Sequence, residues 1–266
     1  MSLRTVRPRA LRQRQIIYYR DLIRELVMRD LKLLYKRSVL GVAWTLLNPL
    51  LQLLVFAFVF RSVLNVNIPQ YASFAFSGLL IWIWTQTALF QSTGLITGNR
   101  PLIRQPGFPI AVLPIITVAT GLIHFLLALP VLFLFMLIND VQVTANIFFL
   151  PLLLILQFTL TVSFAYPLAA LNVTFRDTQH TLGVLLQLMF YILPIFYTLE
   201  QVPAHMRALY ALNPMVILLE SYRAILIYGQ PPAWQALLGL TVTSSILLPV
   251  GYRIFKRQSQ RFVEEI

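Results

Sequence analysis

The chain has no cysteine, which excludes disulfides and thiolate metal sites. Charge is scarce too. Asp, Glu, Lys and Arg make up 11% of the 266 residues, against roughly 25% in soluble domains. Acid is scarcer than base, with nine Asp and Glu against 21 Lys and Arg, a net charge of +12. The three histidines, His124, His180 and His205, lie far apart and lack the spacing of a metal site. No Gly-x-x-x-x-Gly-Lys-Ser/Thr loop is present, nor Gly-x-Ser-x-Gly, nor His-Glu-x-x-His. These absences leave an enzyme little support, and no catalytic residue is assigned.

What the chain has in abundance is apolar surface, 58% of its residues. Such a chain cannot cover itself with polar groups in water, so lipid is its solvent. A membrane-crossing helix needs about 20 apolar residues. Six charge-poor stretches qualify as expected spans: 39–60, 71–95, 110–138, 147–171, 178–199 and 234–252. None of them contains Asp, Glu, Lys or Arg. Proton-coupled carriers keep an ionisable group in the membrane, so the energy source is expected on another chain. Pro130, Pro151, Pro167, Pro194 and Pro249 fall within spans and predict kinks.

Charge sets the expected orientation. Eleven basic residues precede the first span, which begins near Val39. That is too late for a signal peptide, so no cleaved signal is expected. With the N-terminus inside, six spans place eighteen basic residues on the cytoplasmic side and three outside, Arg61, Arg207 and Arg223. This follows the positive-inside rule and puts both termini in the cytoplasm. The reading is a single transmembrane domain over 1–266, with a basic tail (1–15), an interface helix (16–36), a six-span region (39–252) and a cytoplasmic tail (253–266). The basic tail is read as a topology signal that attracts anionic membrane lipid, not as a nucleic-acid binder.

Residues 16–36 carry an apolar stripe at helical spacing (Tyr19, Leu22, Ile23, Leu26, Val27, Leu33, Leu34) opposite charges that include Arg24, Glu25 and Arg29. This helix is either a membrane anchor or a docking surface for a cytoplasmic partner. The loop 98–114 holds four prolines and two glycines, so no long helix fits through it. Its apolar Leu102, Ile103 and Phe108 either meet a protein partner or dip into the interface. Asp177 is expected to cap the helix after it. Between spans five and six, 203–212 and 214–228 read as short helices, with Asn213 as cap and Pro214 at the first helical position. Both are too short to cross and are expected as re-entrant outer gate helices. The tryptophans, Trp44, Trp82, Trp84 and Trp234, are either interfacial anchors or flat faces for sugar rings.

Several segments taken in order resemble the permease subunits of type-2 ABC transporters that export polysaccharides such as O-antigen, capsule and teichoic acid. They are Arg29-Asp30-Leu31-Lys32 running into Tyr35-Lys36-Arg37-Ser38-Val39-Leu40-Gly41, Trp44 with Asn48-Pro49-Leu50, and Asn99-Arg100-Pro101-Leu102-Ile103-Arg104 with Phe108-Pro109. Phe175-Arg176-Asp177 and Asn213-Pro214-Met215 follow. The resemblance covers nearly the whole chain. The Arg-rich tail before residue 15 is longer than the pattern needs.

The resemblance implies an all-α membrane protein that forms a homodimer and works with two ATP-binding cassette subunits. ATP and Mg would be held by those subunits, with no cofactor on this chain. It implies ATPase coupling through Arg24, Glu25, Arg29, Arg100, Leu102, Ile103, Arg104 and Phe108. Lys36, Arg37 and Arg100 would attract the diphosphate of an undecaprenyl-linked glycan. Trp44, Trp82, Trp84, Tyr191 and Tyr197 would line the pore or stack on sugar. Glu200, Pro203, Asn213, Pro214, Glu220 and Arg223 would form the outer gate. The alternative substrate is a small hydrophobic drug or lipid.

Overall fold

The computed structural model describes residues 8–36, 38–260 and 262, and these are helical with no strand among them. Helix α1 (Pro8–Tyr35) runs 28 residues, about 42 Å at 1.5 Å per residue. Its buried stripe is narrower than the expected one. Leu26 and Val27 are buried and Leu22, Ile23 and Leu31 pack beside them, while Tyr19 and Leu33 are exposed. The Leu34 side chain lies outside the described residues. Helix α1 packs against the long helix Val112–Ile138.

The chain leaves α1 through Gly41, whose φ of +47° suits a residue without Cβ. Ser38 Oγ accepts the Gly41 N–H at 3.1 Å. Helix α2 (Trp44–Ala57) follows and widens into a π turn over Phe58–Val63. Next come α3 (Tyr71–Thr93), the short turns α4 (Leu95–Gly98) and α5 (Arg100–Ile103), and α6 (Val112–Ile138). The second half holds α7 (Leu150–Thr174), α8 (Thr178–Ile192), α9 (Ala204–Ala211), α10 (Pro214–Leu226) and α11 (Trp234–Ser259).

Five stretches are long and apolar enough to cross a membrane: Gly41–Val63, Tyr71–Thr93, Val112–Ile138, Ala145–Thr174 and Trp234–Ser259. Helix α3 is the hub, packed against α2, α6, α7, α8 and α10, and 78% of its most apolar stretch is buried. The first span is the opposite case, at 11%. Its apolar face therefore waits for lipid or for another chain.

The fifth expected span differs from its sequence outline. Helix α8 has 15 residues, about 22 Å, and stops at Leu193, whose ψ of 141° is extended. Pro194 explains the stop, because a proline ring excludes helical backbone at the residue before it. Residues 193–196 then fold inward and are buried. The two short helices expected after them are present as α9 and α10. Asn213 caps α10 by accepting the Met215 N–H at 3.0 Å, with Pro214 at the first position. Asp177 holds the N-cap position of α8 but its side chain makes no capping bond. Asn172, on the helix before, accepts the Gln179 N–H at 3.1 Å in its place.

Candidate functional site

Three regions concentrate the chemistry. The first is where α1 meets the turn α4–α5. Arg29 ion-pairs with Asp30 at 2.7 Å and donates from Nη2 to Asn99 Oδ1 at 3.2 Å. Asn99 in turn donates to the Leu95 carbonyl at 3.0 Å. The amphipathic helix and the loop, separate in sequence, are thus one tied unit. Arg24, Glu25, Lys36, Arg100 and Arg104 are exposed on it or next to it. Arg37 lies outside the described residues.

The apolar loop residues do not stand out in water. Ile103 is 4% exposed and belongs to the core, and Leu102 and Phe108 are half-buried. The reason is the short helix α5, which turns Ile103 inward, followed by a chain reversal at Gly107 (φ +80°). Phe108 lines a cleft of about 520 Å³ with Tyr19, Ile23, Tyr252, Phe255 and Lys256.

The aromatic residues separate by burial. Trp82 and Trp84 are 1% and 2% exposed, so both pack into the core, and an edge of Trp84 lines a cavity together with Trp44. Trp84 donates from Nε1 to the Val118 carbonyl at 3.0 Å and packs edge-on where Gly121 leaves room. Trp44 and Tyr191 are 49% and 61% exposed, and Tyr197 is half-buried. Tyr197 and Tyr210 are joined through their hydroxyls at 3.2 Å.

Sequence reasoning missed a phenylalanine cluster next to these tyrosines. Phe196 stacks on Phe56 with centroids 3.9 Å apart, and Phe60 and Phe190 complete the group at 5.5 and 5.6 Å from Phe196. The available signal was the i, i+4 pair Phe56 and Phe60 on one helix face, with the adjacent aromatic pairs Phe190-Tyr191 and Phe196-Tyr197 downstream.

The third region surrounds Arg223 on α10. Its side chain is fully buried. Nη1 meets Glu220 Oε1 at 3.1 Å and Nη2 donates to the Ile195 carbonyl at 2.8 Å. The guanidinium lies 3.6 Å from the Phe74 ring centroid, over α3. Gly78 makes the approach possible, since a Cβ there would sit 3.0 Å from Nη2. Burial pulls the Arg223 pKa down while Glu220 opposes it, and the group stays charged. Glu200 and Pro203 are exposed, and the Glu200 carbonyl accepts from Arg207. Arg223 thus clips α10 and the bend at Ile195 onto α3, whereas Glu200 and Pro203 stand apart from it. Among the described residues, no three His, Asp or Glu side chains gather to hold a metal ion.

The sequence profile of the ABC-2 type transporter family matches residues 21–227. The chain belongs to this family. It is similar to the O-antigen export system permease protein RfbA of Myxococcus xanthus, with 38% identity over 95% of this chain and 98% of that protein. RfbA of Klebsiella pneumoniae is 30% identical over 93% of this chain and 95% of its own length. The polysialic acid transport protein KpsM of Escherichia coli is 24% identical over 90% and 93%. As an ABC-2 permease, the chain is a membrane subunit with several crossing helices.

Proposed function

We propose that this chain is the membrane subunit of an ATP-driven exporter that carries a lipid-linked polysaccharide across the inner membrane. The observation that carries the reading is the near full-length similarity to RfbA of Myxococcus xanthus. In this reading two copies enclose the pore and two ATP-binding cassette subunits, holding ATP and Mg, drive it. The sparsely buried first span and the outer face of α8 (Val184, Leu185, Leu188, Tyr191) supply apolar surface for the second copy. Helix α8 and the bend after it make the fifth crossing, and both termini lie in the cytoplasm. Lys36, Arg37 and Arg100 attract the diphosphate of an undecaprenyl carrier. Export of a glycan involves no nucleic acid.

The test is co-expression with candidate ATP-binding subunits, followed by ATPase assays of the purified complex in lipid with and without undecaprenyl-linked glycan. A stable complex whose ATPase rate rises with the glycan is expected. A chain that purifies alone, or a complex that answers a small hydrophobic drug and ignores the glycan, overturns the reading.

The tie between α1 and the loop predicts a separable effect. Arg29→Ala removes a half-exposed ion pair and one hydrogen bond, about 1 kcal/mol or less of stability. If the tied unit transmits the ATPase stroke, export falls severalfold while the melting temperature barely moves. Equal losses in both would show that Arg29 only holds the fold together.

A further inference from the structure

Two cavities among α1, α2, α3 and α6 share Thr87, Gly121 and His124, so they form one cleft. The inner part, about 310 Å³, begins at Asp30 on α1, and the outer part, about 160 Å³, ends at Trp44, Asn48 and Pro49 on α2. Together they reach the lower range of small-ligand pockets, about 300–1,000 Å³. The depth follows from helix geometry. His124 lies twelve residues beyond Val112, the start of α6, about 18 Å along the axis, more than half of a hydrocarbon core of about 30 Å.

The lining is unusual for its position. Apolar packing would fill a gap between membrane helices with leucine and phenylalanine. Here Thr87, Gln91, Thr117 and Thr120 face the inner part instead. Thr120 is only 9% exposed and its hydroxyl has no hydrogen-bond partner. A buried hydroxyl left unpaired costs about 1–3 kcal/mol, a cost that a ligand's own hydroxyl would relieve.

We infer that this cleft is a saccharide-binding site within each protomer, entered from the inner membrane surface. The inference rests on the exporter reading and adds a place where the glycan is held. The donor and acceptor set decides the ligand class. Threonine hydroxyls donate and accept, the amides of Asn48 and Gln91 do both at once, and the Asp30 carboxylate accepts. That set matches a neutral, hydroxyl-rich ring. The half-exposed Trp44 indole offers a flat face for the ring's C–H groups. Among the described residues no Lys or Arg lines either part, which disfavours a phosphate there.

The absence of native cysteine makes the test clean. Thr87→Cys and Gln91→Cys are placed singly in the full chain, with its ATP-binding partner, in inside-out membrane vesicles. Both positions are exposed in the cleft. The probe is a sulfonated methanethiosulfonate reagent. Vesicles come from cells that make the lipid-linked glycan and from cells that cannot. Gln105→Cys, exposed in the loop, serves as control. Both cleft thiols react in glycan-free vesicles, and react about tenfold more slowly when the glycan occupies the site at tenfold its dissociation constant. Thr120→Val keeps the glycan-free rate and weakens the protection, while the control thiol ignores the glycan. Equal rates with and without glycan, in a complex whose ATPase still responds to it, mean a water-filled crevice and overturn this inference alone. Unreactive thiols in glycan-free vesicles overturn it as well. A complex whose ATPase ignores the glycan removes the exporter reading and this one with it.

Discussion

Arg223→Ala lowers the melting temperature of the detergent-solubilised protein by roughly 5–10 °C and abolishes export. The substitution deletes a buried charge that has an ion pair, a carbonyl and an aromatic face as partners. It leaves the Ile195 carbonyl and the Glu220 carboxylate without their donor, and a void over Phe74. A loss of about 3 kcal/mol follows from the unpaired groups alone. Intrinsic tryptophan fluorescence reports it, since Trp82 and Trp84 sit in the same core.

The order among variants separates a clip from a simple space-filler. Arg223→Lys keeps the charge and loses the fork, so it cannot serve Glu220 and Ile195 together and falls between wild type and alanine. Phe74→Leu keeps both hydrogen bonds and loses the ring face, about 1–2 kcal/mol at a desolvated site. The double change Arg223→Met with Glu220→Gln removes both charges and restores volume, so it melts above Arg223→Ala. It still fails in export if the charge is what seats α10. A double variant that exports normally would show that the charged pair is dispensable for transport.

Arg223 also marks where the sequence stops being readable. The membrane class and the short helices with Asn213 as cap followed from apolar length and local residue chemistry. These are one-dimensional signals. The break in the fifth stretch was written in Pro194, but a charge-free run of the right length hid it. Which tryptophans are core was not legible, because α3 is apolar on every side and has no stripe to show its buried face. The sequence placed Arg223 among outer residues. Its burial needs Phe74, Gly78 and Ile195, brought together from three elements. The Arg29–Asn99 bond spans seventy positions and no local pattern announces it.

A second large effect is expected where nothing polar is involved. Gly251 on α11 faces the backbone of α7. A Cβ there would lie 2.4 Å from the Ser163 carbonyl oxygen and 3.1 Å from Pro167 Cδ. Neither atom belongs to a flexible side chain, so Gly251→Ala pushes the two spans apart. The separation loosens Tyr166 from Tyr252 and Phe255, now 5.5 and 5.3 Å between centroids. Overpacking of this kind costs about 1–3 kcal/mol, and close backbone approach at small residues is what holds membrane helices together. Gly251→Leu leaves no folded protomer. Gly239 on the same helix has nothing within 4 Å, so Gly239→Ala gains about 0.5–1 kcal/mol from helix propensity. The two alanine variants differ by one methyl each and by opposite signs in Tm. Equal melting of the pair would mean that α7 and α11 do not cross at Gly251, and the packing of the last span would have to be redrawn.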